Sequence, residues 1–97
     1  MTPGWEGAGT VVEVGDGMFA KPLKGKRVSF CKGQDFTIGG SMAEYILTDA
    51  TACIQMPDTM TEEQGATCFV NPLSAVGLVD RAKALGAKSL IMTAAAS

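Results

Sequence analysis

Four short stretches carry the patterning of β-strands. Residues 10–14, Thr-Val-Val-Glu-Val, are rich in β-branched side chains, which suit a pleated surface. Gly15-Asp16-Gly17 closes that run with turn chemistry. Residues 27–30 alternate polar and apolar, the period of a half-buried strand. Residues 43–47 and 53–56 are the other two candidates, the second stopped by Pro57. Between them, Pro22 and Gly25 make 21–26 a loop, and the glycines at 33, 39 and 40 make 33–40 another. Short strands roughly every ten to fifteen residues, split by Gly and Pro, predict a small barrel or sandwich.

Beyond Pro57 the period changes. Thr61-Glu62-Glu63-Gln64 has a hydroxyl followed three residues later by an amide, the spacing of a capping box, and predicts a short helix to about Cys68. Asn71-Pro72 predicts a second helix over 72–85, with Asn71 as its cap and Pro72 at the first helical position. Ala75, Leu78, Val79 and Ala82 fall on one face, with Asp80, Arg81 and Lys83 outside it. Arg81 and Lys83 sit where cations suit the helix dipole, and Gly86 supplies a left-handed stop. Ser89-Leu90-Ile91-Met92-Thr93 reads as a short buried strand running into Ala94, Ala95, Ala96 and Ser97. A strand that runs into small residues is how a phosphate-cradling turn begins. A boundary between a β part and an α/β part is expected within 57–71.

Composition narrows the classes. Hydrophobic residues make up 46% of the 97 and charged residues 19%, ordinary for a folded chain. A net charge of −2 leaves no footprint for nucleic acid. Lys21, Lys24, Lys26, Arg27 and Lys32 cluster around a Gly-containing turn and read as a solvated edge. No apolar run approaches the roughly 20 residues of a membrane helix, and no secretory signal opens the chain. Cys31, Cys53 and Cys68 are odd in number and far apart, which fits reduced thiols in a cytoplasm. Catalytic zinc takes three protein ligands and an open position, structural zinc four. With no histidine and no close cysteine pair, neither set is present, and no metal is expected.

The densest motif is Pro3-Gly4-Trp5-Glu6-Gly7-Ala8-Gly9-Thr10-Val11. Its glycines let backbone approach backbone. Glu6 between them is read as accepting hydrogen bonds from turn amides or pairing with a base. Trp5 is read as a half-buried plug of the glycine turn, the alternative being a wall for a planar substrate. This stretch resembles the Pro-Gly-x-Glu-Gly-x-Gly-x-Val signature of the zinc-free quinone oxidoreductase branch of the medium-chain dehydrogenase/reductase superfamily. Trp5 stands where the zinc-dependent branch has a histidine ligand. Gly25-Lys26-Arg27-Val28, Gly40-Ser41-Met42-Ala43-Glu44-Tyr45, Asn71-Pro72-Leu73-Ser74-Ala75 and Leu85-Gly86-Ala87 resemble that family's motifs in order and spacing.

The resemblance implies a mixed α and β fold: a partial GroES-like β-barrel over residues 1–70, then over 71–97 a helix and the first strand of a truncated Rossmann domain. It implies a segment of an NADP- or NAD-dependent oxidoreductase that passes a hydride to a quinone or enone-like acceptor, inactive as these residues alone. A longer parent is expected to be a homodimer. Asn71 and Ser74 would lie against the nicotinamide, Ser74 keeping the hydroxyl of the family's usual Thr. Ala95, Ala96 and Ser97 would form the start of the phosphate turn. No residue is a convincing proton donor; Tyr45 reads as a core or rim residue. The alternative from another class is a non-enzymatic oligomerising or binding module, or the product of a decayed gene.

Overall fold

A computed structural model describes residues 2–31 and 39–94. Three antiparallel strands form its sheet: β1 (Glu6–Thr10), β2 (Arg27–Cys31) and β3 (Cys53–Gln55), with β2 in the middle. β1 pairs with β2 from Glu6↔Cys31 to Thr10↔Arg27, and β2 with β3 from Val28↔Gln55 to Phe30↔Cys53. Backbone bonds from Val11 N–H to the Lys26 carbonyl (3.0 Å) and from Gly25 N–H to the Val11 carbonyl (2.8 Å) carry the first ladder one step further.

β2 and β3 lie where the sequence placed strands, although β2 is buried on both faces rather than half-buried, with Val28, Ser29 and Phe30 all inside; β1 does not. The β-branched run 10–14 contributes only Thr10, and the strand is formed instead by the glycine-rich residues before it. The reason is packing. The Phe30 ring lies over Gly7, so close that a Cβ there would stand 2.7 Å from the ring's Cζ. A poor β-former is used because only a bare backbone fits beneath that ring.

Residues 43–47 form no strand; 41–44 bend, and Tyr45 and Leu47 are exposed. The residues just before them are zipped to the chain's start instead. Gly40 N–H donates to the Thr2 carbonyl (2.7 Å), Met42 N–H to Pro3 (3.0 Å) and Ser41 N–H to Gly4 (3.2 Å), while Ser41 Oγ donates to the Glu6 carbonyl (2.6 Å). Gly4, at φ 108°, and Gly40 are the contact points: a Cβ on Gly4 would collide with Ser41 Oγ, and one on Gly40 with the Pro3 carbonyl group. The loop read over 33–40 lies mostly outside the described residues.

Helix α1 (Glu62–Thr67) opens with the expected capping box. Gln64 N–H donates to Thr61 Oγ1 (3.2 Å), and Thr61 N–H donates to Gln64 Oε1 (3.0 Å). The helix packs on β1 and β2. Ser29, 1% exposed, donates to the Gly65 carbonyl at 2.7 Å, so a buried hydroxyl is satisfied and pins helix to sheet. The Arg27 guanidinium donates to the Met60 carbonyl at 2.9 Å and ties down the turn before α1. Val28, Phe30 and Met56 are the buried large apolar side chains among the described residues.

Helix α2 (Val70–Ala84) begins earlier than its sequence cap predicts. Asn71 is not the cap. Phe69 holds that position and offers no side-chain hydrogen bond, which makes Asn71 the second helical residue and Pro72 the third. The stop is as expected: at Gly86, φ 67°, the Gly86 N–H donates to Lys83 and Ala87 N–H to Ala82, the paired bonds of a Schellman motif. The apolar face of α2 is open along most of its length: every residue from 71 to 81 is exposed.

The expected strand over 89–93 is absent. The described tail carries no strand assignment, and Leu90, Ile91 and Met92 are exposed. A strand needs a partner to accept and donate its backbone hydrogen bonds, and none of the described residues supplies one. The total accessible surface, 7588 Å², exceeds the roughly 5,200 Å² expected of a closed chain of this mass.

Candidate functional site

Two regions could engage a ligand. The first is the junction of the glycine-rich strand with the start of α2. Glu6, the first residue of β1, receives the Val70 N–H on its Oε2 at 2.8 Å, across 64 positions of sequence. Its reading as an acceptor of backbone amides therefore holds, but the amide belongs to a distant helix rather than to the local turn. A carboxylate at a helix N-terminus satisfies one of the four unpaired amides and suits the dipole. Asn71 and Ser74 follow within the next turn, both exposed. They therefore offer a carboxamide and a hydroxyl to solvent beside a fixed helix start.

This geometry bears on what the helix start can bind. Val70 N–H is taken by Glu6 and Pro72 has no N–H, so few free amides face an anion, and a carboxylate already stands there. The donor set suits a neutral amide-bearing group instead. Ala95, Ala96 and Ser97 lie outside the described residues.

The second region is an open hollow of about 730 Å³ lined by Gly7, Gly9, Val11, Phe30, Tyr45 and Cys53 among others. Asn71 and Ser74 do not line it. Tyr45, 76% exposed, is a rim residue. Trp5 is 57% exposed, more than the half-burial expected of it, and does not line the hollow. Among the described residues, no three of His, Cys, Asp or Glu gather where they could hold a metal. Cys53 is no activated nucleophile: burial, and less strongly the charge of Asp49, push its thiol pKa above the usual value. At pH 8 iodoacetamide should alkylate Cys53 more slowly in the folded chain than in urea, and an equal or faster folded rate, followed by peptide mass spectrometry, would contradict this.

Sequence reasoning missed the Glu6–Val70 pairing and the hollow. Both arise from segments far apart in the chain, and no local signal marks either one.

Known proteins place this arrangement. The family model described as "Alcohol dehydrogenase GroES-like domain" matches residues 1–58. The crystal structure of a candidate NADPH:quinone reductase from Mesorhizobium loti superposes with a TM-score of 0.89 at 47% identity, covering 99% of this chain and 28% of that one. This chain thus spans about a quarter of the length of the protein it matches. No curated protein matches the sequence. By the family model over residues 1–58 and the close superposition over nearly the whole chain, the chain belongs to the alcohol dehydrogenase GroES-like domain family, in the quinone oxidoreductase-like branch of the medium-chain dehydrogenase/reductase superfamily.

Proposed function

We propose that these residues serve a zinc-independent, NAD(P)H-dependent oxidoreductase that passes a hydride to a quinone or enone-like acceptor. In this reading residues 1–70 form the GroES-like lobe and 71–97 lead into the nucleotide lobe. The observation that carries it is the exposed Asn71–Ser74 pair on a helix start anchored to the glycine-rich strand. The similarity to a candidate NADPH:quinone reductase supports the same reading and favours NADPH as the first cofactor to test.

The nicotinamide cofactor would supply the hydride. The chain's own contribution is orientation. The Asn71 carboxamide and the Ser74 hydroxyl can donate to and accept from the carboxamide of a nicotinamide ring. The donor set fits the neutral end of the cofactor. It does not fit the phosphates, because the α2 start already holds Glu6.

Titration of these 97 residues with NADPH, followed by amide NMR, should give millimolar affinity, with the largest shifts at Asn71 and Ser74. A micromolar dissociation constant would contradict the expected weakness. Shifts that spare both residues would refute the site.

A second reading, a non-enzymatic oligomerising module, draws on the apolar surface left open at Leu73, Val76, Val79 and Ile91. Association without any NADPH-dependent shift would favour it.

A further inference from the structure

Helix α2 makes little use of its own apolar face, yet its first turn is the part that the proposed function depends on. The side chain that bonds the first amide of that turn is an acidic one from the far strand. We propose that Glu6 is a positioning residue: through its carboxylate it fixes the start of α2, and with it Asn71 and Ser74, relative to the sheet.

Three observations converge on this role. Glu6 is itself held on two sides, by its β1–β2 pairing with Cys31 and by the Ser41 hydroxyl, which donates to its carbonyl at 2.6 Å. Its side chain then reaches the Val70 N–H at 2.8 Å. The helix has no side-chain cap of its own, since Phe69 gives no such bond, and residues 71–81 are exposed; the other ties at this end are half-buried Phe69 and Val70 and the Cys68 thiol, 3.4 Å from Ser29 Oγ. Glu6 therefore joins the sheet, the 40–42 segment and α2 in one residue. A cap supplied from 64 positions away makes the helix start depend on the sheet being formed. It also makes the orientation of Asn71 and Ser74 depend on Glu6, a consequence that rests on the functional reading above.

The amide of Val70 reports this directly. As the first helical residue it has no acceptor within α2, so its protection from exchange comes from Glu6. In Glu6→Ala, Val70 exchange should quicken about fivefold, the loss expected of a helix cap. The amides of Met56 and Val11, bonded to Arg27 and Lys26, should be unchanged. Glu6→Gln keeps an acceptor oxygen and should restore most of the protection. Unchanged Val70 exchange in Glu6→Ala overturns the proposal, as does failure of Glu6→Gln to restore protection while Met56 and Val11 stay protected. Should the alanine variant not fold, the unmodified protein decides: a coupling through the hydrogen bond from the Val70 nitrogen to the Glu6 carboxyl carbon is expected, and its absence overturns the role. If NADPH shifts neither Asn71 nor Ser74 while Val70 protection still follows Glu6, the cofactor reading fails and the positioning role stands.

Discussion

Gly40→Ala should destabilise the fold by about 3 kcal/mol, the upper range for forcing an extra methyl into a packed contact. Gly40 is buried, and an added Cβ would run into the Pro3 carbonyl group and the Thr2 oxygen. These are backbone atoms, so no side-chain rotation relieves the clash. Thr2 cannot retreat freely either, because its carbonyl accepts the Gly40 N–H at 2.7 Å. The substitution should therefore unzip 40–42 from residues 2–4 and release the Ser41 hydroxyl from Glu6. Urea unfolding measures the loss. Gly77→Ala is the control, since a Cβ there meets nothing within 4 Å and an exposed helical site should gain about 0.5–1 kcal/mol. Equal midpoints for Gly40→Ala and the unmodified chain would show that the segment is not zipped as described.

Phe30→Ala should be comparably severe, about 3–5 kcal/mol, the usual range for a buried aromatic truncated to alanine. Phe30 is 7% exposed and is one of the three buried apolar side chains named above. Few other contacts could compensate, and the variant is expected to lose the dispersion of its amide NMR spectrum. Its ring also explains the glycine beneath it, which yields a sharper test. Gly7→Ala alone should cost about 1–3 kcal/mol by crowding the ring. In a Phe30→Leu background, where the ring atoms near Gly7 are gone, the same change should cost clearly less. Additive losses in that double-mutant cycle would show that the ring and Gly7 do not touch.

Of the proposed site, the sequence reading placed Asn71 and Ser74 near the start of a helix, and both lie in the first turns of α2. The cap role given to Asn71 does not hold. Asn-Pro is a strong local signal for a helix start, yet the helix begins at Val70, because a carboxylate from the far end of the chain satisfies an amide that would otherwise need a local cap. Glu6 itself was legible as an acceptor of amides, while the identity of the amide was not.

What the chain's own order of residues determined is everything governed by contacts a few positions apart. The capping box at Thr61 and Gln64 and the left-handed stop at Gly86 formed where read, since their hydrogen bonds and dihedral demands close within one or two turns. Only the tertiary structure decided which candidate strands became strands. The β-rich run at 10–14 yielded to glycines that fit under Phe30, and the runs at 43–47 and 89–93 stayed unpaired because a strand exists only where another backbone lies beside it.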